Sequence, residues 1–203
     1  MKVAVIGGSG RAGREISAEL ARRGHQVTAI SRHPENAVVA DGVMAAAGDV
    51  NHPDALAETI RGHDVVVSAV MFADTDPASL VDVVRASGVP RYLVVGGAGS
   101  LEVAPGVPLI TTPEFPEAYK VEAGRGSDFL NYLRRVGDID WTFLSPSAYF
   151  FEGDRKGQFR LGTDALLVDA DGNSSISYAD YAIALVDEIE QPRHSRARFT
   201  VGY

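Results

Sequence analysis

Val3-Ala4-Val5-Ile6-Gly7-Gly8-Ser9-Gly10-Arg11-Ala12-Gly13 is the stretch that decides the fold. Its first four residues form a short apolar run with β-branched side chains, the composition of a strand covered on both faces of a parallel sheet. A helix follows at once over about 13–23, with Ile16 and Leu20 at i and i+4 on one face and Gly24 placed to end it. Between strand and helix, Gly7, Gly10 and Gly13 fit G-x-x-G-x-x-G, and Gly8, Gly10 and Gly13 fit G-x-G-x-x-G. Both spacings describe one device. A glycine at the strand end permits a tight turn, a second lets the main chain approach a pyrophosphate, and a third lets helix and sheet pack closely. Free N–H groups and the positive end of the helix dipole then point at the anion. Gly7, Gly8, Ser9, Gly10, Arg11, Ala12 and Gly13 are therefore the expected dinucleotide cradle, with a turn that binds nothing as the alternative. A P-loop is disfavoured, because no Lys-Ser/Thr pair follows the glycines.

Downstream, strands are expected at 26–30, 43–47, 64–70, 91–95, 139–144 and 197–201. Helices fall between them, including 116–136 and one started by Ser177 and Asp180 as a capping box. Strand and helix alternate at intervals of about 20 to 30 residues, which predicts an α/β, Rossmann-type, doubly wound and mostly parallel sheet. The chain 1–203 reads as a single domain, with substrate loops at about 97–115 and 147–164 where regular signals thin out.

In such a sheet the ligand lies at the carboxyl ends of the strands. The second strand ends in Ser31 and Arg32 where a NAD-selective site would carry an acidic residue for the ribose. A hydroxyl and a guanidinium suit a 2′-phosphate, so NADP(H) is expected in preference to NAD(H). Arg11 is in reach of the same phosphate, unless both arginines are simply solvated. Asp49 is placed to accept from the adenine amino group while Val50 packs on the ring; its plainer reading is a turn aspartate. Ala69, Val70 and Met71 are expected beside the first strand, under the ribose and nicotinamide.

Composition narrows the function. Net charge is -8 and the pI near 5.1, which argues against binding nucleic acid through its phosphates. Cysteine is absent, so no disulfide framework or thiol chemistry is available. The first strand begins at Lys2, leaving no room for a signal peptide, and no apolar run approaches the ~20 residues of a membrane span, so a cytoplasmic protein is expected. The five histidines are isolated in sequence, and no metal site is expected.

Taken together, the glycine turn, the Gly48-Asp49-Val50 turn, the Lys120 helix, Trp141 to Pro146, and Ile176-Ser177-Tyr178-Ala179-Asp180 cover nearly the whole chain. They resemble the atypical NAD(P)H-binding branch of the short-chain dehydrogenase/reductase superfamily, which includes NmrA-like proteins and the biliverdin-IXβ and flavin reductases. The resemblance implies a bound NADP(H), further cofactor contacts from Gly97 and Pro146, and a substrate over the nicotinamide. It casts Lys120 as the lysine of Tyr-x-x-x-Lys and Ser100 as a polar substrate contact. Pro116 stands where the tyrosine belongs, and Tyr119, one residue from Lys120, faces another way on a helix. Flavin and biliverdin reductases take hydride from the cofactor and a proton from solvent, so two flat rings need only be positioned. Phe72, Tyr149, Phe150 and Phe151 are candidates to face a flavin or quinone, the alternative being packing onto the sheet. An NADPH-dependent reductase with a small-molecule acceptor is thus expected. The alternatives are a non-catalytic NmrA-like redox sensor acting through a protein partner and, last, a sugar-nucleotide epimerase, which needs the missing tyrosine.

Overall fold

The alternation of strand and helix closes into one eight-stranded sheet in a computed structural model that describes residues 1–38 and 40–203. In chain order the elements are β1 (Lys2–Ile6), α1 (Arg11–Arg22), β2 (Gln26–Ser31), β3 (Val43–Ala47), α2 (Pro53–Ile60) and β4 (Val65–Ser68). Then come α3 (Pro77–Ser87), β5 (Arg91–Val95), β6 (Glu102–Ala104), β7 (Val107–Pro108), α4 (Lys120–Leu133) and β8 (Asp140–Ser145). The last are β9 (Tyr149–Phe151), β10 (Arg160–Gly162), β11 (Ser175–Ser177), α5 (Tyr178–Glu190) and β12 (Ala197–Gly202). The sheet order is β10-β12-β8-β5-β4-β1-β2-β3, parallel throughout except where β10 runs against β12. From β1 the chain moves outward through β2 and β3, then returns to build β4, β5 and β8 on the other side. The reversal leaves a crevice at the carboxyl ends of β1 and β4.

Both faces of the sheet are covered, which is why β1 is apolar without alternation. Val3 and Val5 face Ile16 and Leu20 of α1 and Tyr181 and Leu185 of α5. Ala4 and Ile6 face the opposite layer, formed by α2, α3 and α4 around Leu56, Leu80 and Phe129. On the first layer, buried Glu19 of α1 accepts from Arg22, Arg23 and Arg155, and Arg23 also pairs with Asp187 at 2.7 Å and Glu190 at 2.8 Å on α5. This network ties the 152–159 segment to the back of α1.

Local signals act largely as the residues suggest. Asp76 caps α3 by accepting from the Ser79 amide at 3.0 Å, and Gly88 ends that helix at φ 73°. At α5 only half of the expected capping box forms. Ser177 Oγ accepts from the Asp180 amide at 3.0 Å, but the Asp180 carboxylate accepts from the Gly157 amide and the Tyr203 hydroxyl, each at 2.8 Å. An aspartate is one methylene short of the usual glutamate arm, so its oxygens serve the neighbouring loop instead. The helix expected at 116–136 is shorter: Pro116 is extended, a 3-10 turn follows at Glu117–Tyr119, and α4 proper begins at Lys120. Residues 97–115 hold the β6–β7 hairpin, and 147–164 holds β9, which pairs with β11, and the edge strand β10.

Candidate functional site

At the end of β1 the Gly7 and Gly8 amides donate to Ile30 O at 2.8 and 3.0 Å, which turns the chain sharply across the end of β2. Gly7 adopts φ 82°, and a Cβ on it would lie 2.3 Å from Ala69 O. Only glycine serves there, on conformation and on space. At Gly13 a Cβ would lie 2.2 Å from Gly7 O, so the first turn of α1 rests directly on the β1 turn. The start of α1 carries no cap: Gly10 has no side chain to offer, and the first turn holds no acidic residue. Its first amides, which no helical carbonyl can satisfy, remain available to an anion.

This turn forms the floor of a cavity of about 610 Å³. Gly7, Ser9 and Gly10 line it from β1, Ser31, Arg32 and His33 from the end of β2, and Asp49, Val50 and Asn51 from the end of β3. Ala69, Val70, Met71, Asp74 and Thr75 form the wall after β4. Ser31 Oγ is buried and has no hydrogen-bond partner among the described residues. An unpartnered buried hydroxyl is costly unless a ligand supplies the missing bond. Arg32 and His33 beside it are exposed and cationic or polarisable, so this end of the cavity suits an anion.

Sequence reasoning missed His33, Asn51, Asp74 and Thr75 in the lining. Their signal was positional, since each lies two to seven residues beyond a strand's carboxyl end. The strand expected at 64–70 stops at Ser68, which frees Ala69 and Val70 for the cavity wall. Gly8, Ala12 and Gly13 lie behind the floor, and Arg11 is exposed at the first turn of α1.

The acceptor-side residues divide. Tyr149 is 65% exposed with its ring stacked on the half-buried Phe151 at 5.0 Å, and neither ring lines the cavity, whereas Met71, expected under the nicotinamide, is 59% exposed at its wall. Phe72, expected to face an acceptor, is instead 6% exposed and packs against Phe129 at 5.3 Å and Phe143 at 6.0 Å. The loop's hydrophobic core contact outcompetes solvent display for that ring. Phe150 likewise turns inward onto Tyr178 and Tyr181, at 4.2 and 4.8 Å, because alternate residues of β9 face opposite sides. Ser100 lies 3.4 Å from Arg198 Nη1, on a buried guanidinium held by Asp164. Lys120 pairs with the exposed Glu117 at 2.6 Å. Gly97 is half-buried and Pro146 buried; neither they nor Lys120 and Ser100 line the cavity.

Two tyrosines, Tyr92 and Tyr181, are buried and do not stand in for the tyrosine absent at position 116. Tyr92 is fully buried against Ser68 Oγ at 2.8 Å, and burial pushes its pKa up. Tyr181 donates to Leu144 O at 2.7 Å, and burial raises it well above its ordinary value. Among the described residues no group of three or more His, Cys, Asp or Glu is arranged to hold a metal ion. None of their helices is long and apolar enough to cross a membrane.

A glycine cradle under an uncapped helix, at the switch point of a doubly wound sheet, defines a Rossmann-type nucleotide-binding protein. A family model described as NAD(P)H-binding matches residues 7–192, and the chain belongs to that family. Three solved structures resemble it along its length. One, named as an exported protein of Burkholderia pseudomallei, is 48% identical, with full coverage of both chains and a TM-score of 0.90. A candidate epimerase of Bacteroides thetaiotaomicron is 41% identical over all of this chain and 96% of its own, with a TM-score of 0.94. A candidate NADH-flavin reductase of Streptococcus pneumoniae TIGR4 is 35% identical over all of this chain and 99% of its own, with a TM-score of 0.81.

Proposed function

We propose that the chain is an NADPH-dependent reductase that passes hydride to a flat conjugated acceptor, of the flavin or quinone class, without a catalytic tyrosine. The observation that carries the nucleotide preference is the unpartnered Ser31 hydroxyl beside Arg32 at the end of β2. Together they offer a neutral donor and a fixed charge to a 2′-phosphate, where an acidic residue would repel it. Gly7 to Gly13 would hold the pyrophosphate, Asp49 and Val50 the adenine, and Ala69 to Met71 the ribose and nicotinamide. When bound, the nucleotide supplies the hydride.

The protein's own part is positioning. The cradle and the wall after β4 would hold one ring, and the exposed Tyr149, stacked on the half-buried Phe151, would offer a flat apolar face to the other. With no tyrosine four residues before Lys120, the acceptor's proton comes from water at the open mouth. The name of the Streptococcus relative supports this acceptor class, whereas that of the Bacteroides relative points to epimerisation, which in this superfamily draws on the tyrosine missing here. Cytoplasmic residence, where reduced nicotinamide nucleotide is made, belongs to the same reading.

The test compares NADPH and NADH by thermal shift and by turnover against a panel of flavins and quinones, for wild type and Arg32→Asp. The expected result is turnover with NADPH preferred, and loss of that preference in the variant. An unaltered preference would refute the role of Arg32. Pro116 in place of the tyrosine also suits a non-catalytic sensor of NADP redox state. Tight nucleotide binding with no turnover of any acceptor would favour that second reading.

A further inference from the structure

Glu122, in the first turn of α4, places its carboxylate on two main-chain amides of the neighbouring loop. Oε1 accepts from the Phe72 amide at 2.8 Å and Oε2 from the Ala73 amide at 2.7 Å. These residues sit in the middle of the segment after β4 that contributes Ala69, Val70, Met71, Asp74 and Thr75 to the cavity wall. Charge-assisted bonds of this kind are short and strong, and both oxygens acting on adjacent amides fix direction as well as distance.

The other end of the same wall is held by the cradle. The Ala69 amide donates to Ile6 O at 2.8 Å, and Gly7 approaches Ala69 O so closely that a Cβ would sit 2.3 Å from it. Between these two anchors the Phe72 ring fills the space over Gly126, where a Cβ would lie 2.9 Å from the ring. A displacement of the wall therefore moves it either onto the pyrophosphate turn or away from α4. Met71, Ala73 and Asp74 are themselves exposed and offer little packing to resist that movement.

We propose that Glu122 is a positioning residue: it clamps the 69–75 wall to α4 and so presets the nucleotide site that it does not itself line. The proposal rests on the nucleotide-binding reading above. Preorganisation lowers the cost of ordering a loop on binding, so loss of the clamp is expected to appear in affinity more than in the rate of the bound complex.

The test uses the full chain as wild type, Glu122→Ala, Glu122→Gln and, as a stability reference, Ser177→Ala, which uncaps α5 on the opposite layer. NADPH affinity is measured by fluorescence titration, and amide hydrogen exchange is followed at residues 71–74. Glu122→Ala is expected to weaken NADPH at least tenfold, with KM for NADPH rising in step, kcat at saturating nucleotide nearly unchanged, and faster exchange of the Phe72 and Ala73 amides. Glu122→Gln keeps one acceptor and should fall between. Ser177→Ala should lose thermal stability with NADPH affinity within twofold of wild type. Wild-type affinity in a folded Glu122→Ala, or an equal loss in Ser177→Ala, overturns the proposal. Should Glu122→Ala fail to fold, wild-type affinity and exchange in Glu122→Gln overturn it instead. If wild type itself binds no nicotinamide nucleotide, the functional reading fails, and the exchange rates still report whether the clamp holds the wall.

Discussion

Gly13→Ala adds a single methyl group to a helix, a change that ordinarily stabilises. Here the new Cβ would lie 2.2 Å from Gly7 O, 2.9 Å from Gly7 C and 3.0 Å from Gly8 Cα, all main-chain atoms with no rotamer to relieve the clash. Non-bonded heavy atoms settle at roughly 3.5 Å, so helix and turn must separate by about 1 Å. Overpacking of this kind costs about 2 kcal/mol, or roughly 5 °C in Tm for a chain of this size. The same displacement draws the first amides of α1 off the position proposed for the pyrophosphate. Loss of one charge-assisted bond there, about 2 kcal/mol, weakens the nucleotide roughly thirtyfold. Gly24→Ala is the comparison: its site at φ 79° is strained for alanine, but nothing lies within 4 Å, and it stands at the far end of α1. It should lose about 1 kcal/mol of stability with affinity intact. Thermal unfolding and NADPH fluorescence titration read both quantities. A Gly13→Ala protein that binds NADPH as wild type does would refute the cradle as the anion site.

Glu19 predicts an acid sensitivity. Burial pushes its carboxyl up, but hydrogen bonds from Arg155 and Arg23 outweigh this and lower its pKa from 4.5 to about 2. A depressed carboxyl stabilises the fold above its unfolded pKa, so about 2 kcal/mol, discounted for the exposed arginines, should be lost as pH falls from about 4.5 to 2. Glu19→Gln should be less stable at neutral pH and lack that segment of the pH dependence in chemical denaturation. Phe72→Ala should cost about 3 kcal/mol and roughly 8 °C in Tm, because it empties space between Phe129 and Phe143; an unchanged Tm would return this ring to the acceptor surface. Tyr149→Ala should leave stability within about 0.5 kcal/mol and raise KM for the acceptor but not for NADPH in steady-state assays. Equal KM values for wild type and variant would remove Tyr149 from the acceptor face.

Most of the parallel sheet is legible in the chain because its signals are local. The β1 run, the glycine spacing, Asp76-Pro77 before α3 and Gly88 after it each act through their own main chain or the next few residues. The carboxyl ends of β2 and β3 could be read in the same way, since a strand end in a doubly wound sheet faces the crevice wherever it falls. Strands of two or three residues, such as β7 and β10, carry no periodicity long enough to recognise.

The order of residues by itself determined the layered α/β architecture, the glycine turn over Gly7 to Gly13 and the Ser31-Arg32 pair where β2 ends. Those properties follow from local conformation and from the rule that parallel strands must be covered on both faces. Tertiary structure decided which aromatic rings are available, which buried hydroxyls lack a partner among the described residues, and what holds the wall after β4. Phe72 and Tyr149 are indistinguishable as types, yet one packs between α4 and β8 and the other stands in solvent. The Glu122 clamp joins residues 50 and 49 positions apart, and no local rule pairs a helix carboxylate with amides so distant in the chain. Burial and long-range pairing are properties of the folded surface, and they exist only once the layers have closed on one another.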